Sequence, residues 1–192
     1  DDVAQSIVDK LERRYPTILG SEPNTLKTAA EIDKRWEEIK AEERKRKGLD
    51  GPDASVLDEI SHALPALLRA AKLKSRAAKA GWDWPDSAML MEKIFEEMNE
   101  LRAELESETL NKEAAASEIG DILFLMVDFA RWYGIDAEDA LRSTNNRFER
   151  RFRFMEKGLK VQGKDFKTST RDERKALWDE IKTIEKKQVK SA

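Results

Sequence analysis

The 192-residue chain carries 36 Lys+Arg against 39 Asp+Glu, a formal net charge of -3, with no Cys and one His. No global positive field exists to hold a nucleic-acid backbone, which argues against general nucleic-acid binding. A disulfide scaffold, a thiolate zinc site and a Cys nucleophile are excluded, and His62 alone leaves His-rich metal centres and a Ser-His-Asp triad poorly supported.

Charged residues make up 39% and hydrophobic residues 40%, so a packed core is available despite the polar surface. With 8 Gly and 5 Pro among abundant Ala, Leu, Glu, Lys and Arg, an all-α fold is expected. No apolar run approaches the roughly 18 residues a membrane span needs, and no signal-peptide pattern opens the chain. The chain begins Asp1-Asp2 rather than Met and reads as a piece of a longer protein, with the cytoplasm as the expected compartment.

Asp1 to Tyr15 reads as a short amphipathic helix with Val3, Ile7, Val8 and Leu11 on one side, closed by Pro16 and Gly20. After a polar turn over Gly20 to Asn24, a long and highly charged helix is expected from Thr25 to about Lys47. Its few apolar residues, Trp36 and Ile39 among them, have little local partner and are expected to lean on another subunit or segment. Gly48, Gly51 and Pro52 then mark a boundary, dividing the chain into 1–50 and 51–192.

Beyond it, Pro65 suits the first turn of a helix reaching about Lys79. The loop Gly81-Trp82-Asp83-Trp84-Pro85-Asp86 follows, and Asp86 or Ser87 can cap a helix to about Glu106. Further helices are expected over Asn111 to Tyr133, over Ala137 to about Lys157 behind an Asp136 cap, and, after a loop from Gly158 to Ser169, over Arg171 to about Lys187. No 20–50-residue repeat and no alternating strand pattern is present.

The informative feature is a pair of acidic helical motifs, Glu96-Glu97-Met98-Asn99-Glu100 and Glu118-Ile119-Gly120-Asp121. Glu97 and Glu100 are three apart, as are Glu118 and Asp121, so each pair shares a helix face. The short connection around Ser107 to Asn111 makes the two helices an antiparallel hairpin. Acidic i, i+3 pairs are ordinarily solvated faces, and Glu96 to Glu100 alone would be read so. Glu118 and Asp121, however, precede the apolar run Ile122 to Val127, which places their helix in the middle of a domain. Buried, mutually repelling carboxylates cost several kcal/mol each unless compensated. A divalent cation compensates them, and an all-oxygen donor set points to Mg²⁺, with Mn²⁺ as substitute, rather than Zn²⁺. A di-iron carboxylate bundle needs two Glu-x-x-His motifs, and only Glu59 to His62 offers one.

Basic residues supply the other half. Arg147 and Arg151 are i, i+4 in the run Arg147 to Arg153, which includes Arg150, beside a stripe of Phe148 and Phe152. Lys72 and Arg76 form a second such pair, and Lys93 precedes Glu96 and Glu97 by three and four residues. Cations beside a Mg²⁺ site are what a polyphosphate requires.

Glu-Glu-x-x-Glu followed by Glu-x-x-Asp resembles the MazG-type nucleoside triphosphate pyrophosphohydrolases of the all-α NTP pyrophosphatase superfamily. The resemblance extends to Leu64 through Ala70, Gly81 through Pro85, Glu118 through Phe124 and Asn145 through Phe152, which look like the carboxy-terminal half of full-length bacterial MazG. Lys10 through Pro16 and Arg35 through Lys40 look like the end of its amino-terminal half, so nearly the whole chain is covered. The resemblance implies a homodimer that converts nucleoside triphosphate and water to monophosphate and pyrophosphate over a broad range of bases, in a house-cleaning role. It implies metal on Glu97, Glu100, Glu118 and Asp121, and nucleotide contacts from Lys93, Glu96, Arg147, Arg151 and Trp178. Lys72, Arg76, Asn145 and Arg150 complete the expected substrate-contact set, and Glu97 or Glu96 is the expected proton acceptor. Two positions depart from the family: Ala114 stands where a member can carry Lys, and Arg147 matches a family Lys.

Two other readings fit the residues less fully. One is a helical interaction module using Glu31 to Lys47. The other is a superfamily member specialised for one nucleotide, such as dUTP or phosphoribosyl-ATP.

Overall fold

The computed structural model describes residues 2–15, 19, 28–46, 48, 51 and 53–190, excepting the side chains of 29, 30, 33, 189 and 190. Among these residues the structure is all-helical, with seven α-helices and no strand. Two compact units are present, Asp1–Glu59 and Ile60–Ala192.

In the first unit, α1 (Asp2–Arg14) and α2 (Ala29–Arg46) pack together. The expected helix ends at Thr25 and Lys47, and the expected breaks at Pro16, Gly20 and Pro52, lie outside the described residues. Arg14 Nη2 lies 2.7 Å from Glu43 Oε2, and Glu43 is buried. Trp36 does find a local partner: its ring is 5.2 Å from that of Tyr15, with the Arg14 guanidinium and the Lys40 ammonium each 5.3 Å from its centroid. Ile39 is buried as well, so neither apolar residue is left without cover as the sequence pattern suggested. Val3, Ile7, Val8 and Leu11 of α1 are instead exposed.

The second unit comprises α3 (Ala66–Lys79), α4 (Ser87–Glu106), α5 (Lys112–Trp132), α6 (Ala137–Val161) and α7 (Arg171–Lys190). Helix starts follow their caps: the Asp86 carboxylate accepts from the Met89 N–H at 2.8 Å, Asn111 from Glu113 and Ala114, and Asp136 from Asp139. Each such cap satisfies amides that the first helical turn cannot, worth about 1 kcal/mol. Gly134 ends the α5 segment at φ 66, a left-handed conformation that disfavours any side chain with a Cβ.

Helices α4 and α5 form the expected hairpin, α3 packs on α5, and α6 and α7 form a second hairpin. Leu90, Ile94 and Leu125 are the centre of the α4/α5 seam, with Trp84, Met91, Phe129 and Trp132 around them. Burying a leucine such as Leu90 contributes about 2 kcal/mol. The α6/α7 core is Met155, Leu159 and Leu177, flanked by Phe154, Phe166 and Trp178.

Helix α6 continues four residues past the expected Lys157, because Gly158 lies inside it rather than starting a loop. A Cβ at Gly158 would come within 2.6 Å of Leu177 Cδ2, so this glycine allows α7 to approach α6 closely. The apolar stripe of α7, including Leu177 and Ile181, is thereby buried within the chain and is not free for another subunit. The expectation that α5 lies in the middle of its domain holds for one side only. Val127 and Leu125 are buried, but Ile119, Leu123 and Met126 are about half exposed.

Candidate metal and nucleotide site

The α4/α5 hairpin brings the two acidic motifs together. Carboxylate oxygens of Glu97, Glu100 and Glu118 all lie within 4.8 Å of one another, with Glu97 buried, Glu118 half-buried and Glu100 exposed. Asp121, one turn after Glu118, is exposed; it stands outside this trio yet close enough for its charge to act on Glu118. Glu97 follows Leu90 and Ile94 on the buried face of α4, which is why its carboxylate is directed into the seam while Glu96 remains exposed.

Lys93 lies one turn before the acids on α4. Its Nζ is 2.8 Å from Glu96 Oε1 and 2.7 Å from Glu97 Oε1. The Glu97 carboxyl is held below the usual carboxylate range, first by the Lys93 hydrogen bond, against burial, with a further bond from Glu118. Glu118 is pushed the other way. Desolvation raises it, then its hydrogen bond with Glu97 and the charges of Glu100, Glu97 and Asp121. Carboxylates this close resist joint ionisation, so the two groups shift in opposite directions. Hard oxygen donors, a surplus of negative charge and a buried anchoring carboxylate fit a divalent cation.

The basic residues fall in two other places. On α6, Arg147 Nη2 donates to Thr144 Oγ1 at 2.9 Å, and Arg150 and Arg151 both hold Glu185 of α7. The Arg151 guanidinium lies 5.4 Å from the Trp178 ring centroid, and Phe148 lies 6.0 Å from the same ring. Arg147 and Arg150 line a cavity of about 450 Å³ with Arg142 and Asn146, while Asn145 is exposed beside it in sequence. On α3, Lys72 lines a different cavity of about 360 Å³ with Arg131, Asp136 and Glu138, which none of the five acidic-motif carboxylates lines. Arg76 is half-buried, one turn on.

The sequence pattern missed a second charged cluster. Asp128 of α5 is fully buried and bonded to Lys74, Arg131 and Trp84. The signal was present: Asp128 interrupts an apolar stretch, and Trp84 and Asp83 sit in a turn-rich loop just before the metal-motif helix.

An all-α hairpin that brings a carboxylate trio together beside the Lys93 ammonium defines a helical carboxylate site able to hold a metal ion. The comparisons narrow the class. Residues 86–154 match the MazG nucleotide pyrophosphohydrolase domain. The chain is 36% identical over 190 residues to the nucleoside triphosphate pyrophosphohydrolase of Escherichia coli K12, spanning 96% of this chain and 68% of that protein. It is 34% identical over 163 residues to the nucleoside triphosphate pyrophosphohydrolase/pyrophosphatase MazG of Thermotoga maritima, covering 85% of this chain and 58% of that one. The uncharacterized protein YabN of Bacillus subtilis is 38% identical over 189 residues, 97% of this chain and 37% of YabN. The chain belongs to the MazG family of nucleotide pyrophosphohydrolases and is a hydrolase. Among the described residues no helix is long and apolar enough to cross a membrane.

Proposed function

We propose that the chain, in the cytoplasm, hydrolyses nucleoside triphosphates of broad base range to monophosphate and pyrophosphate with Mg²⁺, and that residues 51–192 carry the reaction. The observation that supports this most is the trio of Glu97, Glu100 and Glu118 converging in one hairpin, with relatives named for the same activity. Glu97, Glu100, Glu118 and Asp121 would hold the ion. When bound, Mg²⁺ lowers the pKa of water and offsets charge on the phosphates. Lys93 orients Glu97 and keeps it ionised, so that Glu97 or Glu96 is available to accept a proton from the attacking water. Arg147, Arg150 and Arg151 would bind the phosphate chain, and Lys72, Arg76 and Asn145 are further candidates for substrate contact. Trp178, stacked with the Arg151 guanidinium, offers an aromatic face to a base. Stacking discriminates poorly among bases, in keeping with a wide substrate range and a house-cleaning role.

The functional unit is proposed to be a homodimer. Phe95 and Met98 on α4, and Ile119, Leu123 and Met126 on α5, are exposed, and their spacing puts each set on one side of its own helix. A second copy covering these residues would bury them and enclose the hairpin in a four-helix arrangement.

The metal assignment is tested by Glu97→Gln and Asp121→Asn. Each removes a ligand charge while preserving shape, and each is expected to lower turnover at least about 100-fold with unchanged helical circular dichroism. Wild-type turnover in either variant overturns the assignment.

A further inference from the structure

The carboxylate trio occupies one end of the α4/α5 seam, and a second charged cluster that the proposed chemistry does not use occupies the other. Asp128 is 0% exposed. Its carboxylate lies 2.8 Å from Lys74 Nζ of α3, accepts from Trp84 Nε1 at 2.9 Å and accepts from Arg131 Nε at 2.7 Å. Arg131 also holds Asp83, next to Trp84 in the loop before α4. One side chain thus ties together α3, α5 and the segment that leads into α4.

The seam between these ends is apolar. Glu118, Asp121, Leu125 and Asp128 recur along one stripe of α5, and Leu90, Ile94 and Glu97 along the facing stripe of α4. Apolar packing is non-directional and leaves one helix some freedom to slide along the other. Directed bonds to Trp84, three residues before the first residue of α4, remove that freedom. Buried ion pairs return little net stability after desolvation, and fixing geometry is their better-supported role.

We infer that Asp128 is a positioning residue for the carboxylate cluster: its junction with Lys74 and Trp84 sets the axial register of α4 on α5, and with it the separation of Glu97 from Glu118. This rests on the reading that those carboxylates hold the divalent ion. A metal site tolerates only fractions of an ångström of ligand displacement, so loss of register is felt as loss of metal affinity.

The test is a Mn²⁺ titration followed by electron paramagnetic resonance of the free ion, well below each variant's melting temperature. Asp128→Asn is expected to weaken Mn²⁺ binding about tenfold. Trp84→Phe, which keeps a ring and removes the N–H donor, is expected to weaken it about threefold. In the double variant Lys74→Gln/Asp128→Asn an amide pair replaces the ion pair, and affinity is expected to recover to within about threefold of wild type. Unchanged Mn²⁺ affinity in the folded single variants, whatever their melting temperatures, overturns the inference. If Asp128→Asn does not fold, Trp84→Phe carries the test alone. Failure of the wild-type protein to bind Mn²⁺ contradicts the metal reading itself, is seen before any variant is compared, and takes this inference with it.

Discussion

Arg151 holds Glu185 across the α6/α7 seam, Nε donating to Oε2 at 2.9 Å, while Arg150 Nη2 donates to the other carboxylate oxygen at 2.7 Å. The Arg151 hydrogen bond, against burial and with help from Arg150, holds Glu185 below the usual carboxylate range, so it is an anion at neutral pH. On these two guanidiniums a carboxylate takes the place that a phosphate would take. A triphosphate binding there must share or displace Glu185. Glu185→Gln is therefore expected to lower KM for the nucleotide about threefold to tenfold, with kcat changed less than about twofold. Steady-state kinetics checks this, and a rise in KM would mean that Glu185 instead orients the arginines for substrate.

A pH dependence follows from Asp128. Burial alone would raise its pKa, but hydrogen bonds from Lys74 and Arg131, and their charges, hold it below the ordinary 3.8. The unfolded chain then binds this proton more readily than the folded one. The stabilisation is present above the unfolded value of 3.8 and is lost as pH falls through the lower folded value. The stability gap between wild type and Asp128→Asn, measured by urea unfolding, is expected to be widest near neutral pH and to narrow below pH 3.8. A gap that stays constant to the acid limit would show that Asp128 is not ionised in the folded state.

Much of this was legible in the sequence where a local rule sufficed. Asp86, Asn111 and Asp136 announced helix starts, and the spacing of Glu97, Glu100, Glu118 and Asp121 announced one hairpin. What required three dimensions was partner choice. Lys72 and Arg76 stood out as an i, i+4 pair, yet it is Lys74, on the opposite face of α3, that is buried on Asp128. Arg150 and Arg151 are expected substrate contacts, and only the fold shows that Glu185, 35 and 34 residues away, holds both. Gly158 looked like a helix stop because glycine is a poor helix former; close approach of Leu177 decides otherwise.

The exposed apolar side chains of Phe95, Met98, Ile119, Leu123 and Met126 bear on assembly. Light scattering at micromolar concentration is expected to give about 44 kDa, twice the 22.1 kDa chain mass. Leu123→Glu, which would place a charge among these apolar side chains, is expected to shift the mass toward the single chain. An active wild-type monomer would mean that one copy completes the site.

The reaction proposed for this chain is cleavage between the α- and β-phosphates by a metal held in the acidic hairpin. It is tested most directly by identifying products from a panel of ribo- and deoxyribonucleoside triphosphates, with Mg²⁺ and with chelator. Equimolar monophosphate and pyrophosphate are expected from several bases, only with Mg²⁺. Release of orthophosphate and diphosphate, or turnover undiminished by chelator, would contradict it.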